Sequence, residues 1–310
     1  MRIAMMGSGG IGGYIGARLA EIGSDVSFIA RGGHLQAMRE KGLAVASPLG
    51  DLVLSKVTAS DSAEDIGPVD VVVFAVKTYD TVKAAASLGP LLKRSTRVVT
   101  LQNGIDSVET LRRHVPAEQV IGGATYLSAF IAKPGVIVHA GGLTQVLMGG
   151  YGDPLVRAFE QIGASAKGIG LRSIEDIDNV LWEKFVTLSA FSGGTALMRS
   201  GIGPIYADSE ARTFIEQLRD EGMVVAAAAG HPMPEGFIDR VRERWGVLPA
   251  ETKSSMANDL DRGKPIEVAW LSGRMHELGA RLGVPTPGHT AVYRALHLHA
   301  LGSGKPVMSS

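Results

Sequence analysis

Near its start the chain reads Gly7-Ser8-Gly9-Gly10-Ile11-Gly12, the spacing G-x-G-x-x-G. Glycines at those positions serve three purposes when they follow a strand and open a helix. The first permits a tight turn, the second lets a pyrophosphate approach the backbone, and the third lets helix and strand pack closely. The free N–H groups and positive partial charge of the helix N-terminus then hold the anion. In a chain with 40 glycines the pattern alone says little, and its context carries the reading. An apolar run over 2–6 ends at the glycines, and 11–21 follows with Ile11, Ile15 and Leu19 on one helical face. The chemistry expected is dinucleotide binding; the alternative is a glycine-rich turn with no ligand.

The tip of the next strand separates NAD from NADP. An NAD site usually carries an acid there, about 20 residues on, for the ribose 2′-hydroxyl. Here the strand ends Phe28-Ile29-Ala30-Arg31, without an acid, and Asp25 stands at the wrong end. Arg31 can pair with a 2′-phosphate, which points to NADPH. The alternative is a solvated loop charge. Lys77 follows the apolar run 69–76, and Gln102-Asn103-Gly104 follows the strand 97–101. Both sit at strand C-terminal ends, where open α/β sheets hold their ligands. Lys77 can reach a cofactor phosphate or ribose, and Asn103 offers a donor and an acceptor near the nicotinamide. Each is otherwise an ordinary polar loop residue.

The elements that must position these groups alternate along the first half. Strands are expected over 2–6, 25–30, 69–76, 97–101 and 120–123, and helices over 11–21, 34–41, 80–92 and 105–113. The segments 43–46 and 52–59 flank a turn at 48–51 and read as a hairpin. Short antiparallel strands follow over 125–132, 136–139 and 144–148, then a helix over 154–162. After about Ser173 the strand signals stop. Helices are expected over 174–195, 209–229, 236–244, 254–262, 267–282 and 290–300, with breaks at 201–204, 230–234, 246–249, 263–265 and 283–288. The tail from Gly302 is expected to fray. The pattern predicts an α/β protein: an N-terminal doubly wound Rossmann domain over 1–173, then an all-helical domain over 174–310. Nothing linker-like lies near residue 173, so close packing with a cleft between the domains is expected.

The totals narrow the function classes. Among 310 residues, 31 Lys+Arg balance 31 Asp+Glu, which argues against a nucleic-acid binder acting through a global basic field. A local anion pocket stays open. There is no cysteine, which excludes disulfides, zinc–thiolate sites and thiol nucleophiles. Hydrophobic residues make up 45%, and no apolar run reaches the ~18 residues of a membrane span. A signal peptide over 1–17 fails because Gly7, Gly9, Gly10, Gly12 and Gly13 interrupt any apolar core. The expectation is a soluble cytoplasmic protein with no nucleic-acid or membrane partner. No metal is expected, since His297 and His299 diverge on a helix and no H-E-x-x-H occurs. Gly193-Gly194 marks a helix weak point or close packing.

At this point the residues resemble the ketopantoate reductase (2-dehydropantoate 2-reductase) family over nearly the whole chain. The likeness rests on residues 7–12, Arg31, Val76-Lys77-Thr78, Gln102-Asn103-Gly104, Pro134-Gly135, Trp182-Glu183-Lys184-Phe185, Lys253-Ser254-Ser255-Met256 and Ile266-Glu267, in order and spacing. It implies a Rossmann domain followed by a helical domain of the 6-phosphogluconate dehydrogenase C-terminal type. It implies an oxidoreductase using NADPH to reduce a small-molecule 2-oxo acid to a 2-hydroxy acid. That acid is 2-dehydropantoate, in pantothenate biosynthesis, or a related one. The resemblance leaves a homodimer open. Residue by residue, Lys184 corresponds to the family's general acid and Ser255 to its substrate-contacting serine. Glu267, twelve residues on, corresponds to the glutamate that organises the nicotinamide side. Asn103 corresponds to the asparagine shared by cofactor and substrate. Gly7, Ser8, Gly9, Gly10, Ile11, Gly12, Arg31 and Lys77 complete the implied cofactor contacts.

The implied chemistry is sound. Hydride addition to a ketone develops negative charge on oxygen, and a positioned cation or acid must meet it. Desolvation lowers a lysine's pKa toward the working range; a nearby carboxylate orients the ammonium but opposes that shift. Without the resemblance, Lys184 reads as a surface lysine on an amphipathic helix, a helix that is at least partly buried because Trp182 and Phe185 flank the lysine.

One departure bears on substrate. The family's asparagines four and eight residues after the lysine, on the same helical face, fall here at Leu188 and Ser192, and a third falls at Ile202. A missing hydrogen-bond partner is a strong discriminator, so the reaction class is better supported than the substrate. Ser192 is the leading substrate-binding replacement, with Thr195 and Arg199 as further candidates; Arg199 reads more simply as a solvated helix end. Two other functions remain: a non-catalytic NADP(H)-sensing regulator, and a dehydrogenase of similar architecture acting on a different hydroxy acid. Lys184, Ser255 and Glu267 together weigh against the sensor, which needs no acid in a substrate domain.

Overall fold

The computed structural model describes residues 1–303 and divides into two compact units. The first comprises Met1–Gln102 and Asp106–Asp178; the second comprises Asn103–Ile105 and the chain from Asn179 onward.

In the first unit the elements run β1 (Arg2–Met6), α1 (Gly10–Glu21), β2 (Asp25–Ile29), α2 (Gly32–Lys41), β3 (Leu43–Ala46), β4 (Leu52–Leu54), β5 (Thr58–Ser60) and β6 (Val71–Phe74). They continue with α3 (Thr81–Ala86), β7 (Arg97–Thr100), α4 (Ser107–Arg112), β8 (Val120–Lys133), β9 (Val136–Met148), α5 (Pro154–Ser165) and β10 (Gly170–Ser173). A parallel sheet runs in the order β5-β2-β1-β6-β7-β8, the doubly wound arrangement. Every residue of β6 is buried, as a strand covered on both faces requires. Strand β8 belongs to two sheets: it pairs parallel with β7 through Gly122, then antiparallel with β9 from Gly123. Glycine at the crossing has a steric cause, because a Cβ on Gly123 would stand 2.9 Å from Thr100 O and 2.8 Å from Leu101 Cδ2.

Several expected boundaries move. The segment 52–59 is not one hairpin arm: β4 pairs antiparallel with β3, whereas β5 pairs parallel with β2 as the third strand of the wound sheet. The pieces 120–123 and 125–132 are one strand, and so are 136–139 and 144–148, joined across a register shift at Leu127/Ser128. The helix expected over 80–92 ends at Ala86, and Gly89-Pro90 starts a separate short 3-10 turn. Strand β10 was not anticipated; it pairs parallel with β9 in the same sheet.

The second unit contains most of α6 (Ile177–Leu197), then α7 (Ile202–Ala207), α8 (Ser209–Ala228), α9 (Phe237–Gly246), α10 (Ser255–Asp261), α11 (Ser272–Leu282) and α12 (Pro287–Leu296). The stretch 201–204, expected as a break, instead starts the short helix α7. Gly193-Gly194 does not weaken α6 but permits close packing: a Cβ on Gly194 would lie 2.8 Å from Ile215 Cγ1, and one on Gly193 3.0 Å from Ser272 Oγ. Glu221 of α8 accepts from the Gly288 and His289 N–H groups (2.8 and 3.0 Å), supplying the N-terminal cap that α12 lacks from its own residues. His289 itself is buried and bonds Leu218 O and Ser272 Oγ. Gly302 and Ser303 donate back to His299 O and Gly263 O; the rest of the tail expected to fray lies outside the described residues.

The seat of α1 on the sheet fixes where the glycine loop points, and it depends on small residues. A Cβ on Gly16 would stand 2.7 Å from Met5 Cγ and 3.0 Å from Phe28 Cζ, on β1 and β2. Gly16→Val therefore overpacks this contact and should cost about 1–3 kcal/mol, read as a lower midpoint in urea unfolding. An unchanged midpoint would show that the helix can lift off the sheet freely.

Candidate active site

The glycine loop opens α1 as its spacing requires. Gly7 has φ +96°, a conformation that favours glycine, and a Cβ there would stand 2.7 Å from Val76 N. A Cβ on Gly12 would collide with the Gly7 carbonyl oxygen, so helix and loop approach as closely as backbones can. A Cβ on Gly9, by contrast, would meet nothing within 4 Å. Open space in front of the second glycine, with the N-terminus of a twelve-residue helix beside it, fits a dinucleotide pyrophosphate. Two loop side chains are used within the fold instead. The Ser8 hydroxyl donates to Ile29 O at 3.0 Å, and Ile11 packs against the core, which leaves their backbone groups for a ligand. Arg31 is exposed at the N-cap of α2, and Lys77 follows β6 at the head of a short 3-10 turn. Gln102 is a brace: its Nε2 donates to Val76 O (3.0 Å) and Thr81 Oγ1 (2.7 Å), tying the end of β7 to the loop after β6.

The second unit gathers a different set. Lys184 lies mid-way along α6, next to buried Trp182 and Phe185, whose rings meet edge to face. The lysine stem is part-exposed, but its Nζ is buried. Burial lowers its pKa to about 8; the Glu267 carboxylate pushes back upward, and Arg244 adds a smaller downward push. Glu267 is only 4% exposed, and its Oε2 accepts from Asn103 Nδ2 at 3.4 Å. The helix expected over 267–282 would have carried Glu267 into its first turn. Instead a 3-10 turn spans Val268–Trp270, the backbone breaks at Leu271, and α11 starts only at Ser272. Glu267 thus stands before the turn. The segment Asn103–Ile105 belongs to the same unit: Ile105 packs on its core, and Gly104, at φ +84°, passes 3.2 Å from Trp270 O at its Cβ position.

Lys184, Glu267 and Asn103 therefore form one part-buried polar cluster. The remaining substrate candidates sit less uniformly. Ser255 is exposed at the first position of α10, and its buried neighbour Ser254 caps that helix by accepting from Ala257 N at 3.0 Å. Ser192 is buried on α6, two helical turns beyond Lys184. Thr195 is used internally: its hydroxyl donates to Phe191 O and is hydrogen-bonded with the Ser254 hydroxyl. Arg199 has φ +54° just past the end of α6 and pairs with Asp261 at 3.6 Å. Ile202 is core. Two further groups carry no local sequence signal: Arg244, whose influence on Lys184 is visible only in three dimensions, and His34, which touches the Ser8 carbonyl.

These opposing influences make a signed prediction for the Lys184 ammonium, followed by NMR of 13C-dimethylated protein. It should titrate near 8. Glu267→Gln removes an upward push and should lower that value; Arg244→Gln removes a downward push and should raise it. Titration near the ordinary lysine value, or shifts of the opposite sign, would refute this electrostatic picture.

The family model "Ketopantoate reductase PanE/ApbA" matches residues 3–152, and its C-terminal counterpart matches 176–300. A 2-dehydropantoate 2-reductase of Mesorhizobium japonicum is 30% identical over 98% of this chain and 99% of its own. Among solved structures, a PanE/ApbA family ketopantoate reductase from Ralstonia eutropha superposes with a TM-score of 0.89 at 29% identity, covering 97% of this chain and 98% of its own. A D-mandelate dehydrogenase solved with NADH and anilino(oxo)acetate shares the fold at a TM-score of 0.86 and 21% identity, covering 97% and 98%. No described helix is long and apolar enough to cross a membrane. With both family models matched in order across most of its length, the chain belongs to the ketopantoate reductase family of oxidoreductases.

Proposed function

We propose that this protein reduces a 2-oxo acid to the 2-hydroxy acid with NADPH, and that Lys184 delivers the proton. The observation that carries the reading is the Lys184 Nζ: buried, its pKa drawn down to about 8, and in the field of a carboxylate. An ammonium of that acidity is mostly protonated at neutral pH yet gives up its proton readily, as a general acid must.

The division of labour follows from the residues. The loop from Gly7 to Gly12 and the N-terminus of α1 hold the pyrophosphate, Arg31 pairs with the 2′-phosphate, and Lys77 contacts the phosphate or ribose. The bound nicotinamide supplies the hydride that the carbonyl carbon receives. Lys184 donates a hydrogen bond to the carbonyl oxygen, stabilises the charge developing there, and passes its proton to it. Glu267 orients the ammonium and keeps it protonated, Asn103 positions Glu267 and the reacting groups, and Ser192 and Ser255 contact the substrate. The acid is 2-dehydropantoate, as in pantothenate biosynthesis, or a relative with a less polar tail. Leu188, one helical turn beyond Lys184, favours the second: it offers no hydrogen bond to a substrate hydroxyl.

The experiments are direct. Lys184→Ala should lower kcat by about 10²–10⁴-fold while NADPH affinity, titrated separately, stays nearly unchanged; retention of most turnover would remove Lys184 from the mechanism. Arg31→Ala should weaken NADPH by roughly 10- to 100-fold and leave NADH almost unaffected, and equal losses would show that Arg31 does not read the 2′-phosphate. In a panel of 2-oxo acids assayed by NADPH absorbance, an apolar 2-oxo acid should exceed 2-dehydropantoate in kcat/KM. Selective, efficient turnover of 2-dehydropantoate would overturn the argument from Leu188.

A further inference from the structure

His34 has no place in the reading above, yet it touches the glycine loop. It is the third residue of α2, three after Arg31. Its Nε2 lies 3.0 Å from the Ser8 carbonyl oxygen, and the Gly135 N–H donates to its Nδ1 at 3.1 Å. The second bond settles the tautomer. A nitrogen that accepts from an N–H carries a lone pair, so Nδ1 is bare and the ring proton is on Nε2, where it is donated to Ser8. Burial holds the His34 pKa below its ordinary value, opposed by the Ser8 carbonyl, so the neutral ring that this pattern needs is the stable one at neutral pH. The charged groups on the elements it touches are Arg31 at the N-cap of α2, Arg39, Glu40 and Lys41 along α2, and Lys133 before the Pro134-Gly135 turn, all exposed to solvent. The loop from Gly7 to Gly13 carries no charged side chain.

Ser8 is thereby held from two directions. Its N–H and hydroxyl both donate to Ile29 O at 3.0 Å, at the end of β2, and its carbonyl accepts from His34 at the start of α2. The Ser8–Gly9 peptide is trans, so its C=O and N–H point in opposite directions. Pinning the Ser8 oxygen toward His34 aims the Gly9 N–H the other way. Gly9 is the N-cap of α1 and is the loop glycine whose Cβ position faces open space.

We propose that His34 is a positioning residue for the cofactor: a neutral imidazole that spans the Ser8 carbonyl and the Pro134-Gly135 turn and sets the peptide whose N–H meets the dinucleotide phosphate. The proposal rests on the reading of the glycine loop as the dinucleotide site. Gly135 also passes the restraint onward, since its carbonyl accepts from Ala44 N on β3 at 2.9 Å. The turn, the second helix and the phosphate loop are thus one hydrogen-bonded unit.

The test compares His34→Phe, which keeps a ring but neither hydrogen bond, with His34→Gln, whose amide supplies one donor and one acceptor. NADPH affinity is titrated directly, and kcat is measured at saturating NADPH with the best 2-oxo acid. His34→Phe should weaken NADPH about tenfold with kcat changed less than about twofold, and His34→Gln should recover affinity to within about threefold of wild type. A folded Phe variant that binds NADPH as wild type does, or a folded Gln variant no better than Phe, overturns the proposal. If the Phe variant does not fold, the Gln variant and the 15N shifts of His34 decide. A bare Nδ1 with protonated Nε2 and wild-type-like affinity in Gln support it; a protonated Nδ1 or lost affinity in Gln overturns it. Wild-type protein that binds neither NADPH nor NADH would instead refute the reading of the loop itself, and the proposal with it.

Discussion

The site turns on a buried ammonium. Removing a lysine Nζ from water is costly, and the Glu267 carboxylate offsets part of that cost. The two influences leave Lys184 with a pKa of about 8; full solvation would raise that value, and loss of Glu267 would lower it further. The fold must therefore keep Glu267 buried and close. It does so by interrupting the chain at Leu271, so that the glutamate precedes a 3-10 turn instead of riding on α11, and by presenting the Asn103 amide to its carboxylate. Asn103 is 164 residues away in sequence, and its segment belongs to the helical unit rather than to the sheet it follows.

The nucleotide half solves the opposite problem. There the ligand carries the charge and the protein must offer donors without side chains in the way. Glycine at 7, 12 and 16 lets loop, helix and strand close on one another, while glycine at 9 keeps a face open. The serine between them is tied into the second strand rather than aimed outward. Rigidity in the loop comes from neighbours, Ile29 and His34 among them, because glycine supplies none of its own.

How much of this was legible in the sequence follows from range. The glycine loop, the buried strand β6 and the run of helices after residue 173 announce themselves through local spacing and periodicity, and each is present. Segment 52–59 misled because alternation cannot say which partner a strand takes; β4 and β5 share a stretch of sequence but pair with different neighbours. Strand β10 and helix α7 are too short to have a period. The Leu271 break has no proline or glycine at the position itself to mark it. The nominated polar residues divide the same way. Lys184, Glu267 and Asn103 come together, whereas Arg199 is spent on Asp261 and Thr195 on its own helix and Ser254. His34 escaped because its meaning lies in a contact with Gly135, 101 residues away.

In the proposed function, a leucine and a buried serine on α6 beyond Lys184 would leave the acid in place while changing what can be held beside it. The acid itself is tested most directly by the pH dependence of kcat, measured for reduction at saturating NADPH and 2-oxo acid. Lys184 must be protonated to donate, so the rate should be level on the acid side and fall as pH rises through about 8. Oxidation of the hydroxy acid needs the neutral amine and should rise through the same value. A reduction rate that stays flat through that range, with chemistry shown to limit turnover by a deuterated cofactor, would contradict the assignment of Lys184 as the proton donor.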